Sequence, residues 1–547
     1  MLRREFVKTA ALAGGGLALG RRLRPPSLAD AQVEVLLDEP IATIAPEIYG
    51  QFTEHLGGVI YGGVWVGEHA KVPNLGGIRR ALVEKLRAIQ VPVIRWPGGC
   101  FADSYDWRDG VGPRQQRPRR TNFWVGSAEA RHLGNAPQAF DPNTFGTDDF
   151  VRFCRLSGAQ PYLAANLRSL PALAFDQWVE YCNAPAGSTT YADLRAADGS
   201  PQPYGVRYWG IGNESWGCGG NFTPGAYASE YRRFASWIPR YGVDLKLVAS
   251  GPNADDVDWT TEFFENIFGR RGMAPPWGWS VHNYTFMGDA LKFDANTAYQ
   301  TFAKGFSTEK VLLDHWTAMG VYDRRRRVKL VVDEYGDWYG PGTEVDPSDI
   351  FGQQITMRDA IVTAFTLDIF NRNADKVAMA ACAQLINCIN ALFLASGDRF
   401  LTTPNYHVFD LYAAHQGATA VRAEFAAPSI AFQAPPARSG RRGTGAPGQA
   451  ASFWGLNGSA SRRGNKLTVT VVNPSLEAER DTEIRLQGGS AVAAQARTLA
   501  AADVHAHNTF DQPDAVAPRP LAPVVAGGRI RVALPPASVT RLDLVLG

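Results

Sequence analysis

Eight apolar runs that alternate with longer amphipathic stretches constrain the fold of this chain more than any other feature of its sequence. Each run has the length and content of a buried strand, and the stretches between them carry apolar residues at helical spacing. Strands that alternate with helices indicate a parallel sheet. Eight such units close a barrel, whereas an open sheet would need edge strands and a glycine-rich phosphate-binding signature that this sequence lacks. We therefore predict a (β/α)8 TIM barrel over residues 47–408, with strands at 48–54, 91–96, 160–167, 206–214, 245–251, 277–284, 328–334 and 377–387.

The pattern changes after residue 408. Short β-type runs at 467–472, 530–534 and 539–546 are separated by Gly, Pro and Asn, which is typical of an antiparallel β-sandwich. We predict a jelly-roll-like sandwich over residues 409–547, and we expect an early strand at 32–46 to join it. Residues 434–464 are poor in apolar side chains and rich in Gly, Arg, Ser and Pro, so we predict a mobile insertion there.

Length and charge limit the classes of function. A chain of 547 residues accommodates one barrel and at least one further domain. Its formal net charge of +2 creates no field that would draw the protein to nucleic acid or to a membrane surface. We therefore expect neither nucleic-acid binding nor membrane insertion.

The N-terminal residues have the pattern of an export signal. Arg3 and Arg4 precede a weakly hydrophobic, glycine-rich run at 9–20 that is too short to cross a membrane. This arrangement resembles a twin-arginine signal peptide. We predict that residues 1–31 direct the protein to the periplasm or the extracellular space; the alternative is a disordered basic N-terminus.

The six cysteines are too few for the framework of a disulfide-rich domain of this length. Most are expected to be buried thiols. Cys100 and Cys218 lie in loops beside candidate site residues, and whether they form a bridge is left open. The sequence has no Cys-x-x-Cys pair and no His/Cys cluster, so we expect neither a metal site nor a cofactor.

Two glutamates at predicted strand ends are the candidate catalytic groups. Glu214 ends the fourth predicted strand and Glu334 ends the seventh, and barrel active sites lie at the carboxyl ends of the strands. The fourth and seventh strands lie on roughly opposite sides of an eight-stranded barrel, so both carboxylates can reach one central pocket. Two carboxylates that flank a glycosidic bond, one donating a proton, are the machinery of glycoside hydrolysis. Either acid alone could equally be a structural carboxylate paired with arginine.

Four motifs resemble those of glycoside hydrolase family 51, the retaining α-L-arabinofuranosidases. They are IYGQFTEHLGGVIYGGV at 48–64, VIRWPGGCFADSYDW at 93–107, GIGNESWG at 210–217 and VVDEYGDWY at 331–339. The resemblance extends over nearly all of the chain after residue 31. It implies an exo-acting enzyme that releases terminal arabinofuranosyl residues from oligo- or polysaccharides, with Glu214 as acid/base and Glu334 as nucleophile. It also implies that no cofactor is needed and that the protein forms a homo-oligomer, in this family often a hexamer.

The resemblance also assigns residues that hold the sugar. It implies that Glu54 binds sugar hydroxyls, that Asn213 binds the 2-hydroxyl and that Tyr284 supports the nucleophile. We expect His282 to be a hydrogen-bonding neighbour rather than a proton carrier, and Arg95 to pair with the nucleophile or, alternatively, with a core carboxylate. Further pocket residues are expected to be Cys100, Asn166 and Gln384, and four tryptophans are candidates for its walls: Trp96, Trp107, Trp124 and Trp216.

One departure from the family keeps other substrates open. The family pattern has glycine where this chain has Arg168, and a long cation at that position puts the leaving-group side of the pocket in doubt. The alternatives are a glycosidase of the same mechanism on another substrate, such as an endo-β-glucanase or another furanosidase, and a non-catalytic carbohydrate-binding protein on the same fold.

Overall fold

The predicted barrel is confirmed. A computed structural model of the protein describes residues 29–126, 139–269, 275–347, 349–435 and 448–547. Its eight-stranded parallel barrel is closed, and the barrel strands follow one another in chain order around the ring. All eight lie within or beside the runs that the alternation predicts, because a parallel strand covered on both faces is apolar almost throughout.

The strands in chain order are β1 (Ala31–Thr43), β2 (Gly50–Phe52), β3 (Asn74–Leu75), β4 (Ile78–Arg79), β5 (Val93–Trp96), β6 (Arg120–Thr121), β7 (Phe140–Asp141), β8 (Gln160–Ala165), β9 (Tyr208–Ile211), β10 (Lys246–Ala249), β11 (Gly278–Thr285), β12 (Lys329–Asp337), β13 (Val377–Cys382), β14 (Phe393–Ser396), β15 (Arg399–Thr402), β16 (Thr419–Ala426), β17 (Ile430–Gln433), β18 (Ala450–Phe453), β19 (Asn457–Arg463), β20 (Lys466–Asn473), β21 (Arg480–Gln487), β22 (Ala491–Ala500), β23 (Arg519–Leu521), β24 (Val524–Ala526), β25 (Arg529–Leu534) and β26 (Ser538–Leu546). The helices are α1 (Arg80–Ala88), α2 (Thr147–Ser157), α3 (Ala172–Asn183), α4 (Thr190–Ala197), α5 (Pro224–Ala235), α6 (Val257–Phe268), α7 (Ala295–Tyr322), α8 (Met357–Arg372) and α9 (Pro404–Tyr412).

The barrel consists of β2, β5, β8, β9, β10, β11, β12 and β13. Six of these strands each contribute one buried side chain to a separate core cluster. This layer fills the barrel interior, as side chains do in barrels of this size. Side chains two residues further along a strand point the same way, so the positions beyond this layer, towards the carboxyl ends, face the open end of the barrel. The cluster comprises Val93, Tyr162, Tyr208, Val248, Val331 and Met379.

Helix α8 connects the barrel to the second domain. All of its positions from Met357 to Asn371 are buried, because one side packs on barrel strand β12 and another on sandwich strands β16, β19, β20 and β26. The helix begins with a capping box, in which Asp359 accepts from the backbone N–H of Thr356. An apolar pattern on every side of a helix is what burial between two layers requires.

The second domain is a sandwich, as predicted. Its ten strands run in the order β23-β22-β26-β20-β19-β16-β1-β21-β25-β24. Neighbours are antiparallel except β1 and β21, which are parallel. Strand β22 also contacts β24 and β25 from the other end of the sheet, so the sheet closes over a core of its own. The early strand β1 therefore lies between β16 and β21.

The predicted insertion at 434–464 is wrong for its second half. Strand β18 and the whole of β19 fall inside that range. β18 pairs with β17, and β19 is a central strand of the sandwich. The prediction failed because the buried side chains of β19 are mostly small and polar, including Ser459 and Ser461. Such residues read as loop in the sequence although hydrogen bonds satisfy them here. Residues 436–447 lie outside the described residues.

None of the helices in the described ranges combines the length and the apolar content that crossing a membrane demands. The predicted export signal lies almost entirely outside the described residues, which begin at residue 29. The last of its predicted residues, Ala31, is buried as the first residue of β1.

Candidate active site

A cavity of about 340 Å³ opens at the carboxyl ends of the barrel strands. It brings together most of the site residues that the sequence predicts, on loops or strand ends from six of the eight barrel strands. The predicted residues that line it are Glu54, Cys100, Glu214, His282, Tyr284, Glu334 and Gln384. Apolar and aromatic side chains complete much of the wall: Leu56, Trp124, Trp216, Phe286, Trp338, Phe351 and Ile389.

Glu334 is buried and held by hydrogen-bond donors on both carboxylate oxygens. Arg95 Nη1 donates to Oε1 at 2.7 Å, and the hydroxyl of Tyr284 donates to Oε2 at 2.9 Å. His282 Nδ1 lies 3.5 Å from Oε2. Burial has the largest effect on Glu334 and raises its pKa, while His282 and Arg95 oppose the rise. The donors fix the orientation of the carboxylate towards the cavity.

An irregularity in β12 allows two adjacent acids to face the barrel interior. Between Ser280 and His282 of β11 the pairing advances by two residues, whereas on β12 it advances by three, from Val331 to Glu334. This is the geometry of a β-bulge, which re-aims a side chain. Asp333 faces the interior because it lies two residues after Val331, and the extra residue turns Glu334 to the interior beside it instead of to the opposite face.

Asp333 anchors the cationic groups of the site. It lies 3.6 Å from Arg95 Nε and 3.4 Å from His282 Nε2, and it accepts hydrogen bonds from the hydroxyls of Tyr162 and Ser280 at 2.8 and 2.6 Å. Burial alone would raise the pKa of Asp333, but Arg95, His282 and Ser280 together bring it well below its usual range. Asp333 is thus a fixed negative charge beneath the cavity floor.

Glu214 lies in the loop that follows β9 and is the more exposed of the two acids, with 18% of its side chain accessible against 8% for Glu334. Its backbone has a positive φ of 37°, which is uncommon for a residue with a side chain. Oε1 of Glu214 lies 2.9 Å from His282 Nδ1. An oxygen of Glu214 and an oxygen of Glu334 come within 4.8 Å of one another.

Cys100 and Cys218 form a disulfide, which settles the question that the sequence left open. The bridge joins the loop after β5 to the loop after β9. Its sulfurs lie 3.8 and 3.6 Å from Oε2 of Glu214. Because an oxidised sulfur carries no proton, these are van der Waals contacts and not hydrogen bonds. The disulfide therefore forms an apolar surface against the carboxylate of Glu214.

His282 carries a positive charge at neutral pH. Both ring nitrogens face carboxylate oxygens, Nδ1 towards Glu214 and Glu334 and Nε2 towards Asp333. Burial would lower the pKa of His282, but the charges and hydrogen bonds of these three acids raise it to about 10. An imidazolium that donates from both nitrogens stabilises the acids around it. It has no free lone pair with which to accept a proton.

Glu54 forms a second acidic group at the cavity wall. Oε1 accepts from the backbone N–H groups of Gly99 and Phe101 at 2.9 and 3.0 Å, and Oε2 accepts from Gln384 Nε2 at 2.9 Å. Burial and the nearby charge of Glu334 raise the pKa of Glu54 to about 8, although the backbone donors oppose the rise. These contacts hold both oxygens of Glu54, whose side chain lines the cavity.

Gly99 is required by this arrangement. A Cβ atom at Gly99 would lie 2.4 Å from Oε1 of Glu334, and one at Gly98 would lie 2.7 Å from Oε1 of Glu54. Both distances are far below van der Waals contact. The Gly-Gly pair after Pro97 therefore allows the loop to pass directly over two carboxylates.

Two clusters in the site have the spacing of metal ligands, but their chemistry does not fit a cation. Glu214, His282 and Glu334 place one possible ligand atom each within 4.8 Å of one another. His282 is protonated there, and a metal requires the neutral ring. The second cluster contains Cys100 and Cys218 with Glu214, but the oxidised sulfurs offer no thiolate.

Some predicted residues lie elsewhere or have other contacts. Asn166 donates its amide to Ser169 Oγ in its own loop and to the carbonyl of Tyr105 in the loop after β5, and it is not among the residues that line the cavity. Arg168 donates from Nε to the carbonyl of Asp103 and from Nη2 to Ser104 Oγ, and its guanidinium lies over the ring of Phe123. The guanidinium of Arg168 is therefore held at the rim of the cavity by these contacts.

The four candidate tryptophans divide into two pairs. Trp124 and Trp216 line the cavity. Trp96 and Trp107 are buried in the aromatic core, where Trp96 stacks on Phe150 and Trp107 stacks on Trp178. Asn213 lies under the cavity, where its Oδ1 accepts from Arg95 Nη2 at 2.6 Å.

Sequence reasoning missed two buried acids that shape the site. One is Asp333, whose role depends on its contacts with Arg95 and His282 from other strands. The other is Asp103, which accepts from the backbone N–H groups of Leu167, Arg168 and Asn213 and so joins the loops after β5, β8 and β9. Burial raises the pKa of Asp103 to about 7 against these donors. Asp103 lies in a loop, ten residues after the start of β5, so no periodic pattern in the sequence indicated it.

Two family models match this chain. The model described as alpha-L-arabinofuranosidase 1 domain matches residues 85–298, and the model described as alpha-L-arabinofuranosidase C-terminal domain matches residues 333–538. The first covers the strands that carry Arg95, Glu214 and His282, and the second begins at Asp333 and continues through the sandwich.

Relatives of known name cover almost the whole chain. A protein of Bacteroides ovatus named an intracellular exo-alpha-L-arabinofuranosidase is 34% identical over 526 residues, which is 94% of this chain and 95% of the relative. The crystal structure of the family 51 arabinofuranosidase from Xanthomonas axonopodis pv. citri has a TM-score of 0.85 at 34% identity, covering 94% of this chain and 100% of that one. The structure of the Thermotoga maritima α-L-arabinofuranosidase, an arabinose complex, has a TM-score of 0.78 at 29% identity with the same coverage.

The predicted export is wrong on this comparison. The Bacteroides ovatus relative, which matches this chain almost from end to end, is named an intracellular enzyme. Two arginines before a short glycine-rich run are a weak signal, because a basic N-terminus without a targeting role has the same composition.

The parallel barrel and the closed sandwich agree with these matches over both domains. A relative 34% identical over 94% of the chain places it within one family of enzymes. The chain therefore belongs to glycoside hydrolase family 51, the α-L-arabinofuranosidases.

Proposed function

We propose that this protein is a retaining, exo-acting α-L-arabinofuranosidase that works by double displacement through a glycosyl-enzyme. The short distance between the two acids is the observation that best supports a retaining mechanism. An oxygen of Glu214 and an oxygen of Glu334 come within 4.8 Å. Retaining glycosidases separate their carboxyl groups by about 5–5.5 Å, whereas inverting enzymes need about 6.5–9.5 Å to admit a water molecule.

Glu334 is suited to be the nucleophile. Arg95 and Tyr284 donate to its oxygens, and the imidazolium of His282 lies beside it. These groups favour the ionised carboxylate. They also leave it facing the cavity, where the anomeric carbon of the substrate would be attacked.

Glu214 is suited to be the acid and then the base. In the first step it transfers its proton to the glycosidic oxygen while Glu334 forms a bond to the anomeric carbon, and the leaving sugar departs as an alcohol. In the second step the ionised Glu214 removes a proton from water, which attacks the anomeric carbon and releases Glu334 as a carboxylate. Glu214 thus gives up one proton in the first step and takes one back in the second, so a single carboxyl group serves as acid and then as base.

The remaining wall residues bind the sugar in this proposal. Glu54, fixed by Gln384 and two backbone donors, accepts hydrogen bonds from sugar hydroxyls. Asn213 binds the 2-hydroxyl, a contact that strengthens as the oxocarbenium-like transition state forms. The small size of the cavity, about 340 Å³, favours a single terminal sugar over a long polymer segment. The name of the Bacteroides ovatus relative, an exo-acting enzyme, supports the same conclusion.

The test is hydrolysis of 4-nitrophenyl α-L-arabinofuranoside. We expect turnover by the wild-type protein and none by Glu334→Ala. The control is Glu265→Ala, which removes an exposed glutamate on α6 and should leave the rate unchanged. Activity on β-glucans without activity on the arabinofuranoside would refute the substrate and favour the alternative glycosidase. Sugar binding without hydrolysis of any glycoside would favour a carbohydrate-binding protein.

The stereochemical course has its own test. Proton NMR of the first-formed product should show the anomer of the substrate. In Glu214→Ala, added azide should attack the glycosyl-enzyme without general base assistance and restore turnover of the nitrophenyl substrate. A first product of inverted configuration would overturn the roles given to both glutamates.

Assembly as a homo-oligomer, with a hexamer as the form implied by the family, is part of this proposal. Light scattering of the eluted protein would measure the subunit number.

A further inference from the structure

Lys304 is a cation on the cavity wall for which the described residues supply no acidic partner. It lies on α7 and is half-buried. Among the described residues that line the cavity it is the one lysine or arginine, and no carboxylate of the described chain lies within ion-pair distance of its Nζ. A half-buried ammonium loses part of its hydration without gaining a counter-charge. Such a group is expected to bind an anion when the site is occupied.

Lys304 lines the same cavity as Glu214, and in our proposal it lies on the side from which the leaving group departs. Glu214 must touch the glycosidic oxygen to protonate it, so the leaving sugar extends towards the Glu214 side of the cavity. That side contains Trp216, which follows Glu214 in the same loop, and Asn253, which follows β10. Asn253 is exposed, and its amide has no partner among the described residues. The leaving-group side thus offers an aromatic ring, an amide and an ammonium.

The opposite wall has a different character. Leu56, Trp124, Phe351 and Ile389 form an apolar surface. The other cation near the mouth, Arg168, is occupied by Asp103 and Ser104. His282 is surrounded by three acids. Among these cations of the described structure, Lys304 is therefore the one that remains available to a substrate.

We propose that Lys304 selects substrates whose leaving group carries a carboxylate, so that the preferred chains bear a uronic acid unit next to the arabinofuranosyl branch. This inference rests on the proposed function, because it concerns the leaving group of that reaction. The ammonium pairs with the uronate, Asn253 donates to a neighbouring hydroxyl, and the ring of Trp216 packs on the sugar face.

Two matched substrates test the proposal. One is a xylo-oligosaccharide with an α-L-arabinofuranosyl branch and a glucuronic acid branch on the neighbouring xylose. The other is the same oligosaccharide after its carboxyl group has been reduced to a primary alcohol. The measured quantity is the ratio of kcat/KM for the acidic substrate to that for the reduced one. Both values come from the same enzyme sample, so the ratio does not depend on how much of a variant is folded.

We expect the wild-type ratio to be about fivefold, the size of a partly exposed ion pair. Lys304→Met should bring the ratio to about 1, and Lys304→Glu should bring it below 1. The control Lys310→Met removes an exposed lysine on the same helix, where it pairs with Asp314, and should keep the wild-type ratio. Raising the ionic strength from about 0.05 to 0.5 M should lower the wild-type ratio, because salt screens an exposed pair.

A wild-type ratio of 1, or a ratio that is the same in wild type and Lys304→Met, would overturn the role of Lys304 while leaving the arabinofuranosidase activity in place. Failure of the proposed function would look different. The wild-type protein would then hydrolyse neither oligosaccharide nor the nitrophenyl arabinofuranoside, and both proposals would be overturned.

Discussion

Arg95 on β5 donates a 2.7 Å hydrogen bond to Glu334 on β12, across the interior of the barrel. Both side chains are buried, at 2% and 8% accessible. The same guanidinium donates to Asn213 Oδ1 at 2.6 Å. One cation therefore positions the proposed nucleophile and the residue that precedes the proposed acid.

Replacement of Arg95 by methionine should damage both stability and activity. It leaves Glu334 and Asp333 as buried acids without their main counter-charge, a change that lowers the free energy of unfolding by about 3 kcal/mol. We expect kcat/KM to fall by about a thousandfold, because the nucleophile loses both orientation and charge. Denaturant unfolding and steady-state rates measure these effects. Arg233→Met, which breaks an exposed pair with Glu230, should change neither by much, and full activity in Arg95→Met would show that the pair is dispensable.

The charge of His282 should make the protein less stable at alkaline pH. Its pKa is raised to about 10 in the folded state by Glu214, Asp333 and Glu334, against the lowering effect of burial, and is about 6.5 when unfolded. A raised pKa stabilises the fold fully below pH 6.5, and the contribution is lost as the pH rises through 10.

Urea unfolding at pH 6 and pH 9.5 measures this loss. We expect wild type to lose about 2–4 kcal/mol over that interval on account of His282. The loss should be smaller in His282→Gln, although Glu54, whose pKa is raised to about 8, contributes in the same direction to both proteins. If the free energy of unfolding fell by the same amount between the two pH values in both proteins, the imidazole of His282 would be neutral in the folded state.

Gly99→Ala should reduce activity more than stability. The added methyl would lie 2.4 Å from Oε1 of Glu334, so the carboxylate must turn away from its donors. We expect kcat/KM to fall by about a hundredfold, since a displacement of about 1 Å in a catalytic group has effects of this size. Gly340→Ala is the matched control, because nothing lies within 4 Å of a Cβ there. Wild-type rates in Gly99→Ala would mean that the loop yields without moving Glu334.

Loss of the Cys100–Cys218 bridge should lower stability. The disulfide closes a loop of 118 residues, and bridges of this kind stabilise by about 2–4 kcal/mol. The variant Cys100→Ala/Cys218→Ala should unfold at lower denaturant concentration than oxidised wild type. Dithiothreitol should destabilise wild type and leave the double variant unchanged. Equal midpoints with and without the reductant in wild type would contradict a stabilising bridge.

The sequence predicted the fold well because its signals are local. An apolar run of strand length and an amphipathic stretch of helix length can each be recognised without knowledge of the rest of the chain. Glu214 and Glu334 were recognisable for the same reason, since each directly follows or ends an apolar run. The sandwich strand β19 was missed because its inward positions are serines, which require partners from other elements to be buried.

The residues that the sequence did not reveal depend on contacts between distant elements. Asp333 joins the site through its contacts with Arg95 on β5 and His282 on β11, which no pattern along β12 indicates. Trp96 ends a strand and Asn166 follows one, as the site residues do, but Trp96 packs on Phe150 and Asn166 bonds to Ser169 and Tyr105. A strand-end position alone does not distinguish these outcomes.

The chain by itself therefore determined a barrel with a sandwich, and the two strand ends at which carboxylates appear. The tertiary structure alone decided that Arg95 binds Glu334, that Cys100 meets Cys218, and that Lys304 reaches the cavity with no acidic partner in the described parts of the chain. The reason is physical: periodicity and apolar content act between residues close in sequence, whereas these contacts form only when closure of the barrel and the register of its strands bring distant loops together.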